Sequence, residues 1–301
     1  MSGDTTTLPL SLLQRALKSF KLVAGEQCKN INHINVFRLF TATLNGALDN
    51  NEPVFQPIVN ENGDIIANES LSRLVDKDGK SHKIQDMANA AYEAGRHAEF
   101  DRITCITGLE KALEQDCFPV TLNASPTALL EDGFIEEIFI HATVLGIAPK
   151  DFIFEILEHD VNPKANIEHL LKLKEQEGIR FWLDDFGKGQ KHQNVLDAFA
   201  ELVEGIKVDG KYVCGYLKQE GFKMSEDESC MDGLPEILGD IYNHYGHSDK
   251  MPLLIAECVH TPEEMTALKE LGFGGFQGQE LSDELALFAT QRATCQVPPH
   301  M

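Results

Sequence analysis

At 301 residues, with 43% hydrophobic and 25% charged side chains, the chain reads as soluble and globular, long enough for one large barrel or two ordinary domains. Its 48 acidic against 26 basic residues give a formal charge of −22, which repels polymeric phosphate and excludes general nucleic-acid binding. No apolar run approaches the roughly 18 residues of a transmembrane segment, and no signal-peptide core opens the chain. The seven cysteines (Cys28, Cys105, Cys117, Cys214, Cys230, Cys258, Cys295) are widely spread with no CxxC pair, which argues against a disulfide framework or a zinc cluster and suits a reducing cytoplasm.

In chain order, residues 1–7 are expected to fray, and Leu10, Leu13, Leu17, Phe20 and Val23 then recur at helical spacing. They predict an amphipathic helix over 8–25, followed by a polar break over 26–32 and a second helix over 34–50. The first helix is expected to pack on the body of the protein or on a second subunit. From residue 54 the pattern turns to strands and helices in alternation. Two apolar runs, 54–59 and 65–71, flank Asn60-Glu61-Asn62-Gly63, a hairpin signal that makes the first pair antiparallel.

Helices near 84–115, 126–146, 162–177, 193–203, 232–246 and 262–271 then separate strands near 119–123, 152–156, 179–183, 205–208, 253–256 and 274–277. The expectation is an α/β fold, a modified TIM-type (β/α)8 barrel with an antiparallel first strand plus N-terminal helices. The domains follow as a helical extension over 1–36, a barrel over 37–287 and a weakly ordered tail over 288–301. A polar insertion over 218–232 reads as a solvated loop.

Six of the strand-like runs end on a carboxylate, carboxamide or lysine: Glu69, Asn123, Glu155, Asp184-Asp185, Lys207 and Glu257. In parallel barrels, groups at the C-terminal strand ends converge although scattered in sequence. An all-oxygen set suits Mg²⁺ or Mn²⁺ and not zinc. Two such cations clamp a phosphoryl group and acidify water, which makes phosphoester hydrolysis the leading reaction class. Each residue has a blander reading. Asp184-Asp185 fits a helix N-cap with a solvated neighbour equally well, and Lys207 fits a salt bridge to Asp209 or Asp185 at the barrel mouth. The sequence contains no HExxH, GxSxG, Walker or GxGxxG motif.

From about residue 39 to 285 the chain resembles an EAL domain, the bacterial phosphodiesterase family that linearises cyclic di-GMP to pGpG. Phe55-Gln56-Pro57-Ile58-Val59 resembles the opening strand, and Glu69-Ser70-Leu71, followed by Arg73, stands where Glu-Ala-Leu occurs. Asn123-Ala124-Ser125 and Glu155-Ile156-Leu157-Glu158 follow, then Leu183-Asp184-Asp185-Phe186-Gly187 and Ile206-Lys207-Val208-Asp209. Ala256-Glu257 with Val259, and Gln277-Gly278, complete the order.

The resemblance implies that Glu69, Asn123, Glu155, Asp184, Asp185 and Glu257 ligate two Mg²⁺ or Mn²⁺ ions and that Lys207 holds the nucleophilic water, with Lys207, Glu257 and Asp185 closest to the chemistry. It implies that Gln56, Leu71, Arg73 and Gln277 contact cyclic di-GMP, that Glu158 and Asp209 support the loop between metal and subunit interface, and that the protein is a cytoplasmic homodimer. The chain departs from the family's Thr-Gly-Tyr-Ser-Ser at Lys188-Gly189-Gln190-Lys191-His192. It also departs at Leu157, at Cys258 where the family has glycine, and at His260 where it has a glutamate. These departures keep open a second reading, a catalytically silent cyclic di-GMP receptor, and a third, a protein-interaction module.

Overall fold

A computed structural model describes residues 52–75, 81–82, 84, 88, 91, 96–157, 167–187, 192–224, 229–246, 250–278 and 281. The two expected N-terminal helices, Glu158, the variant loop at 188–191 and the C-terminal tail lie outside the described residues.

Asn60 makes the first turn. Its Oδ1 accepts hydrogen bonds from the backbone N–H groups of Asn62 and Asp64, and Gly63 takes the left-handed φ of 81° that closes the hairpin. That turn joins β1 (Val54–Asn60) to β2 (Ile65–Leu71). The remaining barrel strands are β5 (Val120–Ala124), β6 (Phe152–Leu157), β7 (Arg180–Phe186), β8 (Gly205–Val208), β9 (Leu253–Ala256) and β10 (Gly275–Gln277). They form a closed barrel in the order β1-β10-β9-β8-β7-β6-β5-β2. β1 runs antiparallel to β10, pairing Ile58 with Gln277, while β10 with β9, β9 with β8, β8 with β7 and β5 with β6 are parallel. The fold is therefore the expected modified α/β barrel. A short ribbon of β3 (Leu74–Val75) and β4 (Ser81–His82), absent from the sequence reading, stands apart from it.

The α-helices with described bounds are α1 (His97–Gln115), α2 (Pro126–Leu129), α3 (Phe134–Leu145), α4 (Glu168–Glu177), α5 (His192–Phe199), α6 (Gly210–Gln219), α7 (Leu234–Tyr245) and α8 (Pro262–Lys269). The single helix expected over 126–146 is two, because the chain reverses at Gly133, whose φ of 88° interrupts the helical run. The chain packs as two compact units. One includes α1, β5, α3, β6 and α4, and its core gathers Leu109, Leu122, Phe134, Phe152 and Phe154, with the last two rings edge-on at 5.9 Å. The other includes β8, β9, β10 and nearly all of β1 and β7, with Ile58, Phe181, Phe186, Phe199 and Phe276 at its centre.

The insertion over 218–232 is tied down, against expectation, where it is described. Cys214 of α6 and Cys230 are disulfide-bonded with Cα atoms 5.2 Å apart. Met231 N–H donates to the Lys211 carbonyl at 2.9 Å, and Gln219 Nε2 donates to Asp232 Oδ1 at 2.6 Å. Gly215 has no Cβ where the Met231 backbone lies, which is why the strap can come so close. Sequence spacing without a CxxC hid this pair, because a separation of 16 residues is closed by the turn after α6. A loop of that size makes the cross-link worth about 3 kcal/mol. Cys214→Ser is expected to lower the urea-derived stability of the oxidised protein by about that much more than it lowers that of the reduced protein.

Candidate active site

The centre of the second unit is a lysine. Lys207 occupies β8, a strand buried along its whole length, and is itself 1% exposed. Lysine is almost never buried without a counter-charge, and here three carboxylates supply it. Nζ lies 3.0 Å from Glu69 Oε2 on β2, 2.8 Å from Asp184 Oδ1 on β7 and 3.1 Å from Glu257 Oε1, one residue past β9. From β10, Gln277 Nε2 donates to the same Glu69 Oε2 at 2.6 Å and to Gln56 Oε1 on β1 at 3.2 Å. Residues from five strands and from the position just past a sixth, dispersed from 56 to 277, thus join one network centred on the Lys207 ammonium group.

Among the described residues around Nζ, one cation faces three acids, a net charge of about −2 for the four groups if all are ionised. Burial pushes the Asp184 carboxyl above its usual range, and the charges of Glu69 and Asp185 push the same way against the pull of Lys207. Glu257 is raised to about 8, again by burial first, with Lys207 opposing and Asp184, Asp185 and Glu69 adding. A cluster of carboxyl groups that resist ionisation is the donor set whose ionised form a hard divalent cation stabilises. The residues present fit Mg²⁺ or Mn²⁺.

Asp184 and Asp185 both lie inside β7, so neither caps a helix, and that alternative is set aside. The register against β8 advances from Leu183↔Ile206 to Phe186↔Val208, three residues against two, which is a bulge. Asp185 absorbs it with a φ of 54°, a conformation aspartate tolerates better than most side chains. In a regular strand the two acids would point to opposite faces. The bulge breaks that alternation at Asp185, which is half-buried where Asp184 is buried. Asp209 has a different part: its Oδ1 accepts the Lys211 N–H at 2.9 Å and caps α6. The first N–H of that helix, on Gly210, donates to Glu257 Oε2 at 3.3 Å.

In the first unit, Asn123 of β5 and Glu155 of β6 are direct register partners, the asparagine half-buried and the glutamate fully buried. Leu71 ends β2, and the Arg73 guanidinium donates to the carbonyls of Leu71 and Ser72 at 3.3 and 3.0 Å.

A family model described as "EAL domain" matches residues 41–226, more than half of the chain. The chain belongs to the EAL-domain family. Among solved structures it is similar to the FimX EAL domain from Pseudomonas aeruginosa bound to c-di-GMP, at 20% identity and a TM-score of 0.61 over 81% of this chain and 93% of that one. It is similar to the PaMucR phosphodiesterase in complex with c-di-GMP, at 17% identity and a TM-score of 0.61 over 81% of this chain and 95% of that one. It is also similar to an EAL domain protein from Listeria monocytogenes EGD-e, at 18% identity and a TM-score of 0.56 over 84% and 93%. At such identities the likeness is one of fold. No curated protein matches this chain.

The backbone takes a left-handed turn at Cys258. Its φ of 57° is the left-handed region, which explains why glycine suits the position. The cysteine Sγ also presses on α6 so closely that Gly210 has no space for a Cβ. Replacing the strained residue removes a cost of about 1–2 kcal/mol and adds back part of it as glycine's chain entropy. Cys258→Gly is therefore expected to stabilise the protein by about 0.5–1 kcal/mol in urea unfolding.

Three features of the site escaped the sequence reading: the capping of Asp209 onto α6, the β7 bulge, and the support of β5 by α1 described below. The Lys207 pairing to three acids at once was also more than the expected bridge to Asp209 or Asp185.

Among the described residues no helix is long and apolar enough to cross a membrane.

Proposed function

We propose that this EAL-domain protein is a metal-dependent phosphodiesterase that hydrolyses cyclic di-GMP to pGpG. The observation that carries the reading is the fully buried Lys207 among Glu69, Asp184 and Glu257, three acids around one cation among the described residues. Glu69, Asn123, Glu155, Asp184, Asp185 and Glu257 would hold two Mg²⁺ or Mn²⁺ ions. Such ions supply charge neutralisation at the phosphoryl oxygens and a lowered pKa for the nucleophilic water.

The chain's own residues do the rest. Lys207 sits within hydrogen-bond reach of three acids, so its protons are directed by them, and it orients the water and favours the acids' ionised forms against burial. Glu69 is held from two sides, by Lys207 and by Gln277, which removes its rotamer freedom before substrate arrives. Gln56 and Gln277, linked to one another, present amide groups for the guanine edges, with Leu71 and Arg73 contacting the base and phosphate. Glu158 and Asp209 would support the loop after Gly187. The barrel over 37–287 is the working domain, and the reading extends to a homodimer in the cytoplasm.

The deciding experiment is incubation of the purified protein with cyclic di-GMP and Mg²⁺ or Mn²⁺, with pGpG resolved from substrate. Metal-dependent pGpG supports the enzyme. Binding in Ca²⁺ with no product in any metal overturns it in favour of a receptor. That second reading is favoured by His260, which stands in a family glutamate's place and whose backbone N–H is taken up by the Glu264 carboxylate at 2.6 Å.

A further inference from the structure

An acid outside the metal-ligand set is built into the inner face of α1. Asp101 is 8% exposed, and its Oδ2 accepts two hydrogen bonds, from Ser125 N–H at 2.8 Å and from Ser125 Oγ at 2.6 Å. Ser125 Oγ in turn accepts the Ala128 N–H at 3.3 Å. The segment leaving β5 is thereby pinned two residues beyond Asn123.

One helical turn further along α1, the Cys105 thiol donates to the Asn123 carbonyl at 3.6 Å. Burial pushes that thiol well up, with the Asp101 charge adding, so it remains a neutral donor. Three residues beyond, Gly108 leaves space for the Ser70 side chain and Leu122. Positions 101, 105 and 108 follow the i, i+4, i+7 rhythm of one helical face. That face lies along β5 on both sides of Asn123 and against the residue after Glu69.

A buried carboxylate in that stripe costs desolvation that packing alone would not require. An alanine or leucine there would hold the helix in place. Two charge-assisted bonds to one residue fix a backbone position and direction more tightly than apolar contact does. We infer that Asp101 is a positioning residue, whose grip on Ser125 sets the direction of the Asn123 side chain. This inference rests on the proposed metal site for what Asn123 does, though not for what Asp101 does to it. Partners of ligands are the groups whose loss weakens metal affinity about 10–100-fold while leaving the ligands in the chain.

The test uses Asp101→Asn and the milder Ser125→Ala, each compared with wild type in thermal unfolding. In the metal-free protein, the side-chain carboxamide signals of Asn123, identified by their loss in Asn123→Ala, are followed by NMR. Both variants are expected to shift or broaden those signals, and Asp101→Glu is expected to restore them in part. Mn²⁺ titration is expected to show about tenfold weaker binding for Asp101→Asn. No further weakening is expected when Asp101→Asn is combined with Asn123→Ala. Unchanged Asn123 carboxamide signals in both variants would overturn the inference, as would additive losses in the double variant. Absence of Mn²⁺ binding to the wild type would instead sink the metal-site reading, and the carboxamide spectra would still judge Asp101.

Discussion

Lys207→Met is expected to lower the stability of the metal-free protein by about 3–5 kcal/mol at pH 8, the cost of leaving buried charges without their partner. The methionine matches the lysine stem in volume, so the loss is electrostatic and not a cavity. Glu69, Asp184 and Glu257 each lie within 3.1 Å of Nζ, and without it they repel one another in a buried site. As pH falls the acids take up protons and the repulsion fades, so the penalty should shrink toward pH 5. Urea unfolding at the two pH values measures this directly. A loss under about 1 kcal/mol at pH 8, the value of an exposed pair, would mean that solvent reaches the site and that the lysine does not organise it. The same variant should lose the proposed hydrolysis of cyclic di-GMP, because the three acids would no longer be gathered around one cation.

How much of this was legible beforehand differs by residue. The barrel was, because each apolar run carries its own period and the Asn60-to-Gly63 turn signals an antiparallel start whatever follows it. The ends of the runs marked Glu69, Asp184, Lys207 and Glu257, since an ionisable residue closing an apolar strand must find a partner. Which partner was not legible. A bridge from Lys207 to Asp209, two residues away, was the local guess. Asp209 instead satisfies the helix that begins beside it, and lysine's partners come from strands as distant as 138 residues. Nor does a one-dimensional pattern show a bulge. Asp184 and Asp185 are adjacent letters, and the extra residue against β8 at their position leaves no mark in the pattern. Asp101 was hidden for a related reason: on a helix, an acid pointing inward looks the same in sequence as one facing water. The signal that was available is its spacing from Cys105 and Gly108, small residues that mark the buried face.

Asp184→Asn should move activity and stability in opposite directions. Withdrawing one oxygen anion from the proposed cation site removes several kcal/mol of transition-state stabilisation, so turnover of cyclic di-GMP should fall on the order of a thousandfold. The metal-free protein should nevertheless gain about 1 kcal/mol near pH 8, because one of three crowded charges is gone. The pH dependence gives the sign. In the folded wild type Glu257 holds its proton up to about pH 8, whereas in the unfolded chain it lets go near 4.5. Between those values the folded state binds more protons, so its stability declines as pH rises, by at most about 1.4 kcal/mol per pH unit for one proton. Asp184 is among the charges that raise Glu257, and its neutralisation should flatten that slope. Mg²⁺ or Mn²⁺ added to wild type should flatten it as well, by taking the place of the proton. Unfolding curves across pH 5 to 8, with and without metal, check each of these outcomes. A steep slope that metal leaves intact would mean the acids are relieved by protons alone, and near-normal turnover in Asp184→Asn would place the metal site elsewhere.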